Sequence, residues 1–299
     1  MKRNLIITLL LFLSLPLLSQ NFLKKKKYKL PKELPEVSGL YVASPDSLWW
    51  HNDGGHPAEL FLTNSRGELL WKGTVPGAVN RDWEDLTADD KGNFYIGDFG
   101  NNNNQRKDLA IYIYSPASGQ LDSIRFQYPD QQEFPPEPER QNFDMEGFFW
   151  FQDSLHLFSK NQMSKGNYYT KHYVLPAAPG VCEAVLRDSL YLKKRVTTAA
   201  AISPDGRSVA LLAYRFKLFL GFIPITPADI FVLTDFSGTD FFEGNLKRRK
   251  GVRCILPTQY EALDYIDPDS VWIASEGNIL YKQKMKKRRL KIRRGKTLP

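Results

Sequence analysis

A hairpin pattern that recurs five times constrains the fold of this 299-residue chain more than any other feature. Each unit opens with a three-residue segment that begins a short apolar run, which we call the opening mark. The run then meets a turn rich in Pro, Asp, Gly and Ser. The unit then closes with a second apolar run that ends in a polar or small residue. Because Pro presets φ and Gly or Asp tolerates unusual dihedral angles, these turns have a physical basis. The opening marks are Ser38-Gly39-Leu40, Glu84-Asp85-Leu86, Glu146-Gly147-Phe148, Thr198-Ala199-Ala200 and Glu261-Ala262-Leu263.

The spacing of the hairpins predicts a β-propeller. Successive units begin 46, 62, 52 and 63 residues apart, which leaves room for two further strands in each unit. Four strands at this spacing are typical of a propeller blade. We therefore predict an all-β fold, a single β-propeller of four-stranded blades, with five repeat units and five or six blades. A sixth blade would fit in the long third or fourth spacing, or the N-terminal strand near Tyr28–Leu30 would close the ring. A β-sandwich is the alternative, although it would not require one hairpin to recur.

The N-terminus predicts export. Lys2 and Arg3 precede an apolar run from Leu5 to Leu18, an order typical of a secretory signal. The run is shorter than the roughly twenty residues that span a bilayer, so an uncleaved anchor is the less favoured alternative. We expect a periplasmic or extracellular protein. Its expected parts are a signal peptide (1–20), a basic segment (21–33), a β-propeller (34–281) and a basic C-terminal tail (282–299).

The net charge of +8 conceals an acidic body between two basic ends. Residues 33–281 carry 23 Lys and Arg against 33 Asp and Glu, whereas 1–32 and 282–299 contain no acidic residue. The basic ends are either solvated or in peripheral contact with an anionic envelope surface. We expect no nucleic-acid partner, because the acidic body would repel phosphate. Cys182 and Cys254 form a disulfide or remain two free thiols.

The repeat gathers carboxylates at one end of the expected channel. The first residue of a hairpin lies beside its last, and the first strand of each blade lines the channel. Such a ring repels itself unless it is offset, and Ca²⁺, which takes six to eight oxygen ligands, is the natural partner. The structural alternative is that these carboxylates accept backbone N–H groups or pair with arginines. The expected ring comprises Asp53, Glu84, Asp85, Asp98, Glu146, Glu261 and Glu276, with Asn52, Asp53, Arg81, Asp85 and Asn101 as ligand-binding candidates.

The segment from His51 to His56 is the weak candidate for catalysis. A histidine at the channel mouth would act as a general base toward a metal-bound water. The simpler interpretation is a glycine-rich turn with surface histidines, because the sequence fixes no base–nucleophile pair. The histidines and cysteines do not cluster as zinc ligands.

Five short motifs resemble a group of exported bacterial propellers over about residues 34–280. These are related in pattern to SdiA-regulated, esterase-like phytase and gluconolactonase-type propellers. In gluconolactonase-type propellers a divalent metal sits in the central channel on Glu, Asn and Asp side chains. The resemblance implies Glu84, Asp98, Glu146 and Glu261 as metal ligands here, while the fourth unit departs from the pattern with Thr198. The motifs are Glu36-Val37-Ser38-Gly39-Leu40, Asp82-Trp83-Glu84-Asp85-Leu86, Ile96-Gly97-Asp98-Phe99-Gly100-Asn101-Asn102, Ile202-Ser203-Pro204-Asp205-Gly206 and Tyr260-Glu261-Ala262-Leu263.

Three functional hypotheses follow. The first is a monomeric binding or scaffold protein of the cell envelope, with a divalent-cation or polar ligand site at the channel mouth and a small-molecule or envelope ligand. The second is a metal-dependent hydrolase of esters, lactones or phosphoesters at the same site. The third is an adhesive surface protein tethered through the basic run 282–296.

Overall fold

The computed structural model describes residues 27–161, 166–221, 223–252, 259–278, 281–290 and 292. The expected signal peptide, residues 21–26 of the basic segment, Cys254 and residues 293–299 lie outside the described residues. Cys182 lies on a strand and is partly exposed. Among the described residues, no helix has the length and apolar character needed to cross a bilayer.

The described chain forms five blades of four antiparallel strands around a central channel. The first blade contains β2 (Val37–Ser44), β3 (Ser47–Asn52), β4 (Glu59–Thr63) and β5 (Leu69–Thr74). The second contains β6 (Trp83–Ala88), β7 (Phe94–Asp98), β8 (Ala110–Ser115) and β9 (Gln120–Gln127). The third contains β10 (Asp144–Phe151), β11 (Ser154–Lys160), β12 (Tyr169–Pro176) and β14 (Val185–Tyr191). The fourth contains β15 (Val196–Ile202), β16 (Ser208–Tyr214), β19 (Ala228–Thr234) and β20 (Asn245–Val252). The fifth contains β21 (Tyr260–Asp267), β22 (Ser270–Ser275), β23 (Lys284–Arg289) and β1 (Lys27–Lys29).

Three strands and two short helices lie outside this scheme. β13 (Gly180–Glu183) pairs in parallel with β9, and β17 (Lys217–Phe219) pairs with β18 (Ile223–Ile225) as a separate hairpin. Single-turn 3-10 helices cover Pro138–Arg140 and Phe241–Glu243. The prediction of an all-β propeller with four-stranded blades is confirmed, and the number of blades is five.

The two chain ends close the ring by sharing the fifth blade. β1 pairs antiparallel with β23, so the outermost strand of this blade comes from the N-terminus. The sheet therefore includes residues on both sides of the expected 34–281 range, and Lys284–Arg289 of the expected tail forms a strand. Lys286 in that strand is only 5 % exposed, and its ammonium lies 4.9 Å from the centre of the Tyr260 ring. The basic run can form a strand of the blade because it contains an apolar residue, Met285, that is fully buried.

Five apolar cores hold the blades together, one at each blade–blade interface. Trp50 and Phe61 of the first blade pack in one cluster with Ala262 and Trp272 of the fifth, which shows that the ring is closed. The innermost strands contact one another in the same cyclic order, namely β2, β6, β10, β15, β21 and again β2. Burial between neighbouring blades, rather than within any one sheet, therefore stabilises the propeller.

The repeated sequence mark corresponds to a repeated β-bulge. In each blade the pairing of the two inner strands shifts register just after the first or second paired residue. A bulge re-aims a side chain relative to the regular pleat. The residues at the five bulges are Ser38, Glu84, Glu146, Thr198 and Glu261, the first residue of each opening mark.

The two blades without a glutamate use the bulge differently. Ser38 donates its hydroxyl to the backbone carbonyl of Glu84 at 2.5 Å, and Thr198 donates to the carbonyl of Tyr260 at 2.8 Å. Each bond joins one blade to the next. Hydroxyl residues therefore link blades at this position, and glutamates at the same position are free to face the channel mouth.

Candidate functional site

Seven carboxylates converge at the end of the channel where the bulges lie. Their oxygens form three overlapping groups, and within each group all oxygens lie within 4.8 Å of one another. The groups are Asp53–Glu261–Glu276, Asp53–Asp82–Glu84 and Glu84–Asp144–Glu146. We call these seven residues the mouth cluster. Asp53 and Glu84 each belong to two groups, so they lie at its centre.

Four members of the mouth cluster are buried and three are half-buried, and the surroundings disfavour ionisation of their carboxyl groups. Burial raises the pKa of Glu84 well above its usual value, and repulsion from Glu146 and Asp53 adds to this. Burial also raises the pKa of Asp53 to about 7, with Glu261 as the next contribution. Like charges without compensating donors raise carboxyl pKa values in this way. The same direction holds for Asp82, Asp144, Glu146, Glu261 and Glu276, with burial the largest cause in each.

Lys160 offsets one side of the cluster. It ends β11, and its ammonium lies 2.5 Å from Glu146 Oε1 and 4.0 Å from Asp144 Oδ2. Burial lowers the pKa of Lys160, but the carboxylates of Glu146 and Asp144 outweigh it and raise that pKa well above its usual value. In the described part of the chain, Lys160 is the cation that forms ion pairs with this cluster. The side around Asp53 therefore keeps its excess of carboxylates.

The geometry fits a hard divalent cation. Two oxygens bound to one Ca²⁺ at about 2.4 Å can be at most about 4.8 Å apart, and one carboxylate oxygen from each residue of a group lies within that limit of the others. Asp144 Oδ2 is buried and has no hydrogen-bond partner among the described residues. The groups contain only carboxylate oxygens and no histidine or cysteine, so the donor set suits Ca²⁺ rather than Zn²⁺.

Three of the four predicted metal ligands lie in the mouth cluster: Glu84, Glu146 and Glu261. The fourth, Asp98, lies outside the three groups. It forms an ion pair with Arg106 at 3.1 Å and accepts the backbone N–H of Asp82 at 3.0 Å. Asp98 therefore positions the segment that carries Asp82.

Sequence reasoning missed Asp82 and Asp144. Each lies two residues before a bulge glutamate, in Asp82-Trp83-Glu84 and Asp144-Met145-Glu146. This repeated Asp-x-Glu spacing in the second and third blades is a signal that could have found both.

Two predicted ligand residues are engaged in the fold instead. Asp85 accepts the backbone N–H of Leu86 at 2.8 Å and that of Phe148 at 3.1 Å, which ties the second blade to the third. Asn101 donates its backbone N–H to Asp144 Oδ1 at 2.6 Å. Its side-chain oxygen accepts the N–H groups of Gln105 and Arg106, so its role is to orient a loop beside the cluster.

The remaining ligand candidates surround the cluster with varied exposure. Asp53 belongs to it. Asn52 is buried and donates its side-chain amide to the carbonyl of Glu33 at 2.9 Å. Arg81 pairs with Asp108 at the surface, and its side chain is 64 % exposed. Glycine allows the loops to approach closely, because a Cβ at Gly100 would collide with Glu84 Oε1.

None of the four histidines belongs to the mouth cluster. His51 is buried against Gly39 and the Trp83 ring, 5.4 Å between ring centres, and burial lowers its pKa to about 4. His56 pairs with Glu36 at 2.9 Å. The other two, His156 and His172, share a 2.9 Å hydrogen bond between blade strands. No histidine therefore belongs to the groups that would hold a cation.

Comparison with known proteins returns distant structural neighbours. No family model matches the sequence, and no curated protein matches it. Among solved structures, Penicillium chrysogenum α-L-arabinanase complexed with arabinobiose is similar at 11% identity and TM-score 0.46, over 88% of this chain and 97% of that one. A Xanthomonas campestris gluconolactonase is similar at 11% identity and TM-score 0.44, over 88% and 89% of the two chains. Kuenenia stuttgartiensis hydrazine synthase is similar at 13% identity and TM-score 0.40. There 82% of this chain covers only 57% of the other.

At these identities the similarity concerns the fold alone. Gluconolactonase-type propellers are among the structural neighbours, as the sequence resemblance implied. The SdiA-regulated and phytase parts of that resemblance stay predictions.

Proposed function

We propose that this protein is an exported propeller of the cell envelope that binds Ca²⁺ in the mouth cluster and uses that site to bind a polar small molecule or envelope ligand. The observation that carries the proposal is a set of seven carboxylates, four buried and three half-buried, for which Lys160 is the ion-pairing cation among the described residues. A cluster of this kind repels itself and gains stability when a cation enters.

Asp53 and Glu84 are the central ligands in this proposal, because each belongs to two of the three groups. A bound Ca²⁺ would supply positive charge and coordination positions for oxygens of a ligand. The chain itself supplies the carboxylates that hold the cation and the burial that strengthens their interaction with it. Lys160 keeps the Glu146 side neutralised, which directs the cation toward Asp53.

A metal-dependent hydrolase of esters, lactones or phosphoesters is the second candidate. It is favoured by the mouth cluster itself, since a cation held by these carboxylates would activate a water molecule for attack. The position of the histidines speaks for the binding role, since His51 is buried against Trp83 and His56 pairs with Glu36. Assays of the three substrate classes with and without Ca²⁺ distinguish the two candidates.

The test is the thermal stability of the protein as a function of Ca²⁺ concentration. We expect Ca²⁺ to raise the Tm, since a ligand that binds only the folded state stabilises it. Asp53→Asn and Glu84→Gln should abolish this rise while leaving the Tm without Ca²⁺ unchanged or higher, because each removes repulsion. Asp90→Asn, at an exposed turn position, is the matched control and should respond as the unmodified protein does.

The alternative outcomes are distinct. A Tm that does not change with Ca²⁺, Mg²⁺ or Mn²⁺ would contradict the proposal that the mouth cluster binds a cation. A fall in the cation-free Tm of Glu84→Gln would show that the cluster stabilises the fold as it stands.

Export and the basic tail belong to the same proposal. We expect the mature protein to begin near residue 21, which N-terminal sequencing of protein from the envelope fraction checks. Because Lys284–Arg289 is a strand of the fifth blade, a tail deletion should begin after residue 292. Release from membranes on that deletion would support tethering through the tail, and retention would contradict it.

A further inference from the structure

A hairpin projects from the fourth blade at the mouth end of the channel. It continues β16 and β19 beyond Tyr214 and Ala228, where Arg215 donates its N–H to the carbonyl of Pro227 at 3.1 Å. β17 and β18 then pair only with each other. The six residues after Tyr214 reach at most about 20 Å beyond the blade.

One side of this hairpin is apolar and exposed. Phe216, Leu218 and Leu220 are 57 %, 54 % and 69 % exposed. Phe216 directly precedes β17, Leu218 is its middle residue and Leu220 directly follows it, so an exposed apolar side chain recurs at every second position. Leu220 adopts φ of +53°, a conformation that bulky residues rarely take. Exposed apolar groups concentrated in this way mark an interaction surface.

The surroundings of the hairpin are basic. Lys217 lies within it, and Lys193 and Lys194 are exposed on the loop that precedes β15. Asp229 is the single carboxylate in the sequence of stretches 193–195, 215–229 and 245–252. It is paired with both Arg195 at 2.8 Å and Arg248 at 2.7 Å, so its charge is already neutralised.

Tyrosines of the neighbouring third blade lie at the same end. Tyr169 pairs with Tyr191 across β12 and β14, and each is 49 % exposed. The Tyr191 ring lies 5.3 Å from that of Tyr169 and 6.0 Å from that of Tyr168. Tyrosine combines an apolar ring with a polar hydroxyl, which suits the boundary between hydrocarbon and water.

We propose that the β17–β18 hairpin is a docking element for an anionic lipid surface. Phe216, Leu218 and Leu220 would enter the boundary between headgroups and acyl chains, while Lys193, Lys194 and Lys217 contact anionic headgroups. Three exposed apolar side chains in a basic surround fit a fluid, negatively charged surface better than they fit a protein, which would have to supply a matching groove.

Tyr214, at the base of the hairpin, pairs with Val196, two residues before the bulge residue Thr198, which places the base of the hairpin at the mouth end of the channel. The docking proposal does not depend on cation binding, and either can fail alone.

The experiment measures co-sedimentation of the full chain with vesicles. We use phosphatidylglycerol–phosphatidylcholine vesicles and, separately, pure phosphatidylcholine vesicles. The hairpin variant is Phe216→Ser with Leu218→Ser and Leu220→Ser, and the charge variant is Lys193→Gln with Lys194→Gln. Leu70→Ser is the matched control, since Leu70 is 56 % exposed on the outer strand of the first blade. Every variant keeps the native N-terminus and tail, so differences report the substituted residues.

We expect the hairpin variant to lose binding to anionic vesicles by about tenfold or more, because it removes most of the apolar surface that would be buried. The charge variant should bind more weakly and with less dependence on salt, and Leu70→Ser should bind as the unmodified protein does. Binding of the hairpin variant equal to that of the unmodified protein would overturn the proposal. So would equal binding to pure phosphatidylcholine, or a dimer in analytical ultracentrifugation that the hairpin variant dissociates.

Discussion

Glu84 and Asp85 are adjacent in the sequence and both are buried, yet their carboxylates have opposite surroundings. Asp85 accepts two backbone N–H groups, one from its own blade and one from Phe148 of the next. Glu84 instead faces other carboxylates, and repulsion from Glu146 and Asp53 adds to the effect of burial on its pKa. The bulge between Trp83 and Asp85 allows two neighbouring side chains to serve these different surroundings.

Asp264 of the fifth blade behaves as Asp85 does. It accepts the N–H of Val42 in the first blade at 2.7 Å and that of Tyr265 at 2.7 Å. Burial raises the pKa of Asp264 to about 7, as it does for Asp53. A raised pKa alone therefore does not separate structural from ligand-binding carboxylates. The hydrogen-bond donors around the carboxylates separate the two kinds. A carboxylate that accepts N–H groups stabilises the fold, whereas one surrounded by other carboxylates is suited to binding a cation.

The largest effect on the comparison between structural and cation-binding carboxylates should come from removing Lys160, the cation that pairs with the mouth cluster in the described part of the chain. Lys160→Met leaves Glu146 and Asp144 buried without their ammonium partner. We expect the free energy of unfolding in chelator at pH 8 to fall by about 3–5 kcal/mol, the usual effect of breaking a buried ion pair. Because Ca²⁺ can replace the lost charge, its stabilising effect should be larger in this variant than in the unmodified protein. Chemical denaturation with and without Ca²⁺ measures both quantities.

Lys171→Met is the matched control for that experiment. Lys171 forms a 2.5 Å ion pair with Asp130, and its side chain is 18 % exposed against 16 % for Lys160. Asp130 is itself 30 % exposed, so water can solvate it when the lysine is removed. This variant should lose less stability and should not change the response to Ca²⁺. An equal loss in both, with equal Ca²⁺ responses, would contradict a special role for Lys160.

The next largest effect should come from Asp85→Ala. The substitution leaves the buried N–H groups of Leu86 and Phe148 without their acceptor, which should lower the free energy of unfolding by about 2–4 kcal/mol. The Tm rise with Ca²⁺ should persist, because Asp85 is not in the mouth cluster. Glu84→Gln should give the reverse pattern, with stability kept and the Ca²⁺ response lost. If both variants lost the response, the distinction between the two carboxylates would fail.

The sequence predicted the propeller because its hairpins recur in one register. The residues at the opening marks proved to be bulge positions, so a pattern of residue types carried information about backbone geometry. It did not separate Asp85 from Glu84, since a bulge changes which way adjacent side chains face and the sequence does not show it. Asp98 was placed with the metal ligands because it ends a strand. Its ion pair with Arg106 depends on a loop conformation that no local pattern encodes.

The strands at the two ends of the chain show a second limit of prediction from the sequence. A strand near Tyr28 was anticipated as one way to close the ring, and β1 does pair with β23. The basic run at the other end was expected to be solvated or to contact an anionic surface, because its charges dominate the composition. Within it, Met285 and Lys286 are buried by the fifth blade, a tertiary effect that outweighs local polarity.

The smallest of the expected effects, and the most specific to the mouth cluster, is the pH dependence contributed by Asp53. Its pKa of about 7 in the folded protein exceeds the value of 3.8 expected when unfolded, so the folded state binds the extra proton between those values. Its contribution to stability is therefore complete below about pH 4, declines as pH rises to about 7 and is flat above pH 8. A shift of three pKa units would correspond to about 4 kcal/mol, but Asp53 is only half-buried and we expect about 2 kcal/mol.

The difference in free energy of unfolding between the protein and Asp53→Asn, followed in chelator from pH 4.5 to 8.5, isolates this contribution. Taking the difference cancels buried histidines such as His51, whose pKa is lowered to about 4 and whose effect has the opposite sign. Asp90→Asn should give no such slope. Saturating Ca²⁺ should abolish the decline, because a bound cation favours the ionised carboxylate and competes with the proton. A difference that stays constant with pH would mean that Asp53 is ionised and solvated in the folded protein. The mouth cluster would then bind a cation no better than any exposed group of carboxylates.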